Sequence, residues 1–125
     1  LPTRISLRLV RSENCCPIEG ADVEIWHADT RGVYSGSAAW MCNADDQDAS
    51  SLAFLRGRQI SHGDCRVNFL SLYPGRYSGR AVHVHLRIVV EGRELLITQP
   101  LFDDGVSDIL YQGHPDYAAR RNAIR

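Results

Sequence analysis

The sequence predicts an all-β fold: an antiparallel β-sandwich with long loops and short helical turns near its C-terminal end. Three observations predict it. Several short stretches alternate apolar and polar residues with a period of two, as half-buried strands do. Gly, Pro, Asn and Asp punctuate the chain between them. The 125 residues, 44% of them apolar, suffice for one domain, residues 1–125, with its own core.

The elements follow in order. Residues 3–10 set Ile5, Leu7 and Leu9 against Arg4, Ser6 and Arg8, a first strand. Asn14, Pro17 and Gly20 mark a turn region. Residues 21–27 form a second strand, with Val23 and Ile25 on one face and Trp26 on the other, and residues 29–32 turn. Residues 34–52 lack periodicity, and a loop that long in a compact domain is usually functional. Strands resume at residues 54–61 and 66–72, with a turn at 62–64. Residues 73–79, with Pro74, Gly75 and Gly79, form a connection. Residues 81–90 are the strongest strand; Glu91-Gly92 turns the chain and residues 94–101 return it. The tail holds helical turns at 107–111 and 115–121.

Charge and composition exclude some functions. The net charge is -1 with both signs interspersed, which argues against nucleic acid as a main partner. No run of about 18 apolar residues suggests a membrane-spanning helix. The chain opens on Leu1, which reads as a trimmed N-terminus. The four cysteines, Cys15, Cys16, Cys42 and Cys65, point to disulfides and to a secreted or periplasmic setting, with a cytoplasmic one as the alternative. Neighbouring Cys15 and Cys16 are poor partners for each other, because the vicinal geometry is strained. No C-x-x-C occurs, so no zinc pattern is present.

The chemistry concentrates in residues 81–90. Side chains on a strand alternate faces, so Val82, Val84, Leu86, Ile88 and Val90 share an apolar face. His83 and His85 share the opposite face with Ala81 and Arg87. Two histidines so placed stand about 6–7 Å apart at the backbone, close enough to converge on one ion. The pair alone suits zinc, copper, nickel or iron equally, and also suits two solvated side chains. Just upstream, Gly75 and Gly79 flank Tyr77 and let the backbone aim that side chain back at the strand.

The segment Tyr73-Pro74-Gly75-Arg76-Tyr77-Ser78-Gly79-Arg80-Ala81-Val82-His83-Val84-His85 resembles the metal-binding segment of the intradiol ring-cleavage dioxygenases, the family of the protocatechuate and catechol dioxygenases. Three further blocks resemble it in the same order. They are Gly20-Ala21-Asp22-Val23-Glu24-Ile25-Trp26-His27-Ala28-Asp29 with Gly32-Val33-Tyr34, then Phe54-Leu55-Arg56-Gly57-Arg58-Gln59, and finally Leu96-Ile97-Thr98-Gln99. The blocks run from about Cys16 to about Phe102, and the short interval from Tyr77 to His83 is similar to that of the compact members.

The resemblance implies a prealbumin-like sandwich holding one mononuclear Fe(III). Its ligands would be Tyr34, Tyr77, His83 and His85. Arg80 would place positive charge over the site, Tyr77 would also take part in proton transfer, and Gln99 would be a polar group near the substrate. The partners it implies are a small aromatic diol and O2, with no nucleic acid and no membrane, and an oligomer is compatible with it. The reaction it implies is intradiol cleavage of a catechol to a cis,cis-muconate-type product. Ligand chemistry agrees. A free tyrosine ionises near pH 10, and a hard trivalent cation removes that proton. Two phenolates and a hydroxide balance Fe(III) beside two neutral imidazoles.

Two rival readings stand beside this one: a non-catalytic prealbumin-like binding module, whose turns and strands share the pattern, and a His83/His85 site for another metal. His27 reads as a lone histidine with its ring near the sheet surface, and His62 and His114 as solvated turn residues. Asp103-Asp104-Gly105 lacks the oxygen series of a calcium loop, and Ser35 has no His–Asp arrangement. The ring substituent of the substrate is not legible, and the pocket walls are expected from residues 36–52, from a partner chain or from residues outside this sequence.

Overall fold

The computed structural model describes residues 1–36, 48–49, 52–77 and 79–120. Its elements are β1 (Pro2–Arg8), β2 (Asp22–Trp26), β3 (Arg56–Ile60), β4 (Arg66–Leu72), β5 (His85–Val90), β6 (Arg93–Thr98), helix α1 (Asp104–Gly113) and a 3-10 helix (Pro115–Arg120). All strand pairs are antiparallel. One sheet is β1-β4; the other has the order β3-β2-β5-β6. The fold is all-β, as the alternation predicts.

The two sheets face each other across an apolar core. Val23 and Ile25 of β2, Val67 and Phe69 of β4, and Leu86 of β5 are buried there with Leu9, Ala21 and Val84. Ile5 and Leu7 of β1 pack against it, so the predicted inner face of the first strand is the one buried. Glu91 and Gly92, both at positive φ, make the two-residue turn between β5 and β6 that suits the right-handed twist of a hairpin.

The strongest predicted strand is shorter than its periodicity suggests. Regular pairing begins at His85, and His83 forms only an isolated bridge to Leu101. Pro100 explains the gap: it accepts from the Val84 N–H at 3.1 Å but has no N–H to return. The C-terminal region is more helical than expected. Asp103 caps α1 by accepting from the Val106 N–H, and the helix runs ten residues. It closes a second cluster of Tyr73, Val82, Tyr111 and Tyr117.

Three further expectations change. His27 is buried, 1% exposed, and not near the sheet surface. It continues the inward parity of Val23 and Ile25, and its Nε2 meets Ser71 Oγ of β4 at 2.7 Å. His114 is half-buried against the Tyr117 ring, with centroids 5.3 Å apart, whereas His62 is exposed as expected. Cys15, Cys16 and Cys65 are free thiols, the first two exposed and the third buried; Cys42 lies outside the described residues. So does most of the stretch expected to wall the pocket, residues 37–47 and 50–51. No helix among the described residues is long and apolar enough to cross a membrane.

Candidate metal centre

Four side chains from three separate segments meet at one end of the larger sheet. Tyr34 follows the turn after β2, Tyr77 sits in the connection after β4, His83 lies at the isolated bridge, and His85 opens β5. Their polar atoms converge. Tyr34 Oη lies 3.3 Å from Tyr77 Oη, 3.1 Å from His83 Nε2 and 3.1 Å from His85 Nε2. Tyr77 Oη lies 3.0 Å from His83 Nε2. The His83 and His85 ring centroids are 5.0 Å apart. Tyr34 and His83 are buried, at 4% and 3% exposure, while Tyr77 and His85 are half-buried.

The loops that bring the two tyrosines together interlock. The Gly75 N–H donates to the Asp29 carbonyl at 2.8 Å, and a Cβ on Gly75 would stand 2.3 Å from that same oxygen. A Cβ on Gly32 would stand 2.6 Å from the Arg76 carbonyl. Each loop thus passes where the other has no side chain. From below, the C-terminal region holds the Tyr77 loop: Tyr111 Oη donates to the Pro74 carbonyl and Tyr117 Oη to that of Tyr73, both at 2.7 Å. Arg76, 4% exposed, pairs with Asp108 at 2.9 Å and lies 4.7 Å over the Tyr111 ring.

The sheet fixes the histidines. In the β2–β5 register Trp26 is opposite His85, and the two rings stack. His83 Nδ1 lies 2.7 Å from the Ala81 carbonyl. A carbonyl only accepts, so Nδ1 carries the proton and Nε2 presents its lone pair to the cluster. Burial, aided by Arg80 and opposed by the hydrogen bond to the Ala81 carbonyl, holds the His83 imidazole below its ordinary pKa. Burial, then His83, Arg80 and Arg56, lowers that of His85 to about 4. Both rings are therefore neutral near pH 7, the form that binds metals.

The donor set fits a single transition-metal ion. Bonds of about 2.0–2.1 Å meeting at 90–110° put two ligand atoms about 2.9–3.4 Å apart, and the cluster's four closest separations are 3.0–3.3 Å. Two phenol oxygens with two imidazole nitrogens suit a hard, trivalent ion better than a soft one.

Arg80 donates to Gln99 Oε1 through one guanidinium nitrogen, and both side chains are half-buried. Arg80 also lies close enough to lower both histidine pKa values. Sequence reasoning missed Trp26, Arg56, Tyr111 and Tyr117 as parts of this assembly. Only the Trp26–His85 pairing had a signal, in the alternation of two strands that must pair.

No protein-family model matches the chain. A chlorocatechol 1,2-dioxygenase of Rhodococcus opacus is 31% identical, over 75% of this chain and 41% of that protein. A catechol 1,2-dioxygenase of Acinetobacter lwoffii is 30% identical, over 66% of this chain and 30% of that protein. Among solved structures, an intradiol ring-cleavage dioxygenase of Tetranychus urticae matches with a TM-score of 0.83 at 30% identity, over 100% of this chain and 62% of that one. The chain thus spans less than half the length of these curated relatives and about three-fifths of the solved structure.

Proposed function

The chain belongs to the intradiol ring-cleavage dioxygenase family, and on that premise we propose that it cleaves a catechol-type aromatic diol with O2, between its two hydroxylated carbons, to a cis,cis-muconate-type product. The single observation that carries this reading is the convergence of Tyr34, Tyr77, His83 and His85 at separations of 3.0–3.3 Å. These four would hold one Fe(III) ion, with the two phenolates offsetting two of its three charges. When bound, the ion supplies Lewis acidity toward the diol oxygens and a template for their placement.

The chain's own groups do the rest. His83 keeps its proton on Nδ1, against the Ala81 carbonyl, so its Nε2 stays free of one. Trp26 fixes the plane of His85. Tyr77 is half-buried where Tyr34 is buried, so its Oη is the phenol oxygen better able to take a proton from an entering diol. Arg80 holds positive charge near the histidines, where it stabilises negative charge on a deprotonated diol. Gln99 accepts from that guanidinium and holds it in place.

The test is direct. Ferric-loaded protein is expected to carry one iron per chain, to be red-brown from phenolate-to-iron charge transfer, and to consume O2 with catechol. Tyr77→Phe is expected to weaken the colour and abolish cleavage. Protein that stays colourless and iron-free after ferric loading overturns the proposal. Colour and cleavage that survive Tyr77→Phe remove Tyr77 from the ligand set.

A further inference from the structure

The face of the sheet that bears the histidines also bears an uncovered apolar stripe. The β5–β6 register sets Ile97 opposite Arg87, and the same register continues through the bridge of Leu101 to His83, with Gln99 opposite His85 between them. Ile97, Gln99 and Leu101 therefore share the face of Arg87, His85 and His83. Two hydrogen bonds flank the His83–Leu101 bridge, Val84 N–H to Pro100 O and Phe102 N–H to Val82 O. That makes His83 and Leu101 a non-hydrogen-bonded pair, the arrangement in which opposed side chains approach most closely. Yet His83 is 3% exposed while Leu101 is 66% exposed and Ile97 59%. A large leucine stands open to solvent directly beside a candidate metal ligand.

Among the described residues the cations on this face already have partners, and Arg80, held by Gln99, is the one assigned to the diol oxygens. Arg80 donates to Gln99, Arg56 to the Ser35 carbonyl and hydroxyl, Arg58 pairs with Asp22, and Arg87 pairs with Glu94 and Glu24. The side chains opposite His83 and Arg87 on this side, Leu101 and Ile97, are apolar and open to solvent.

We propose that Leu101, with Ile97 beside it, is the specificity wall of the site. It favours catechols with an apolar ring substituent over those with a carboxylate. The inference rests on the reading of the cluster as a catechol-binding iron centre. Its physical basis is that apolar contact gains from leaving water, whereas a carboxylate pressed against leucine loses hydration with no partner in return.

The experiment uses ferric-loaded protein under anaerobic conditions and follows the visible band as catechol, 4-methylcatechol or 3,4-dihydroxybenzoate is added. The readout is the ratio of the Kd for 3,4-dihydroxybenzoate to that for 4-methylcatechol. It is expected to be about tenfold or more in the wild type, since one methyl group in an apolar site is worth roughly that much. Leu101→Ala is expected to narrow it at least about threefold, and Leu101→Lys to reverse it. Ile109→Ala, an exposed position on α1, serves as the control and keeps the ratio. The inference is overturned if catechol shifts the band but the carboxylated diol binds as tightly as the methylated one, or if neither Leu101 variant moves the ratio. If none of the three diols shifts the band, the catechol reading falls and the wall with it.

Discussion

Trp26 lies flat against His85, with ring centroids 5.0 Å apart and planes 4° from parallel. The two residues are register partners on β2 and β5, so the contact is set by the backbone and not by side-chain chance. A stacked indole holds the plane of the imidazole, and in that plane Nε2 lies toward Tyr34 Oη. Trp26→Ala is therefore expected to lower iron affinity about 10–100-fold, the range seen when groups that orient a metal ligand are removed. Trp26→Phe, which keeps an aromatic face, is expected to recover most of it. Chelator competition followed through the visible band measures both. Equal affinity in the wild type and Trp26→Ala would remove Trp26 from this role.

Gly75 holds the two tyrosine-bearing loops in contact. A methyl group there would press on the Asp29 and Thr30 carbonyl oxygens and the Gly32 nitrogen, at 2.3–2.6 Å, all of them backbone atoms. Backbone cannot swing aside as a side chain can, so the loops must part. Gly75→Ala is expected to cost about 1–3 kcal/mol of stability, as overpacking does. It should also lower the iron content of the purified protein, because the loops carry Tyr34 and Tyr77. Urea unfolding and elemental analysis check the two effects separately.

These two contacts show why the site was only partly legible in the sequence. Alternation put His83 and His85 on one face, and the rings lie 5.0 Å apart. The core face of β1, β2 and β5 was legible by the same rule, because a strand's period survives whatever packs on it. Tyr34 was not legible by any period. It lies beyond the strand end, and its place against both histidines depends on two turns fitting together across more than forty residues. The start of β5 was misread because the missing N–H belongs to Pro100 on the partner strand, not to the strand being read. The tail's contribution was hidden for a similar reason. Nothing local marks Tyr111 and Tyr117 as donors to carbonyls 37 and 44 residues away.

Tyr111 offers a direct measure of that hidden contribution. It is 1% exposed, and burial raises its phenol pKa, so the hydroxyl keeps the proton it donates to the Pro74 carbonyl. Tyr111→Phe removes the donor and leaves the ring in place. The expected loss is about 1–3 kcal/mol, the cost of a buried acceptor deprived of its partner. In urea this should lower the midpoint with no change of slope. An unchanged midpoint would mean that the carbonyl finds another donor, and that α1 does not brace the Tyr77 loop through this bond.

His27 makes stability depend on pH in a direction that can be worked out. Its Nδ1 lies 2.7 Å from the Ala28 carbonyl, which can only accept, so Nδ1 carries the proton. Nε2, 2.7 Å from Ser71 Oγ, then accepts from that hydroxyl, and this arrangement needs the neutral ring. Burial lowers the folded-state pKa below the ordinary 6.5. The unfolded chain takes up a proton near 6.5 while the folded one resists until lower pH. The stabilisation is therefore complete above 6.5 and is lost progressively as pH falls below it. His83 and His85 shift in the same direction, so the wild-type profile alone does not isolate His27. Comparison with His27→Gln does, because the other two histidines are common to both proteins. The variant is expected to be less stable at pH 8 and to lose less stability between pH 7 and pH 5. Unfolding free energies across that range provide the check, and parallel profiles for the two proteins would show that His27 does not titrate as its burial requires.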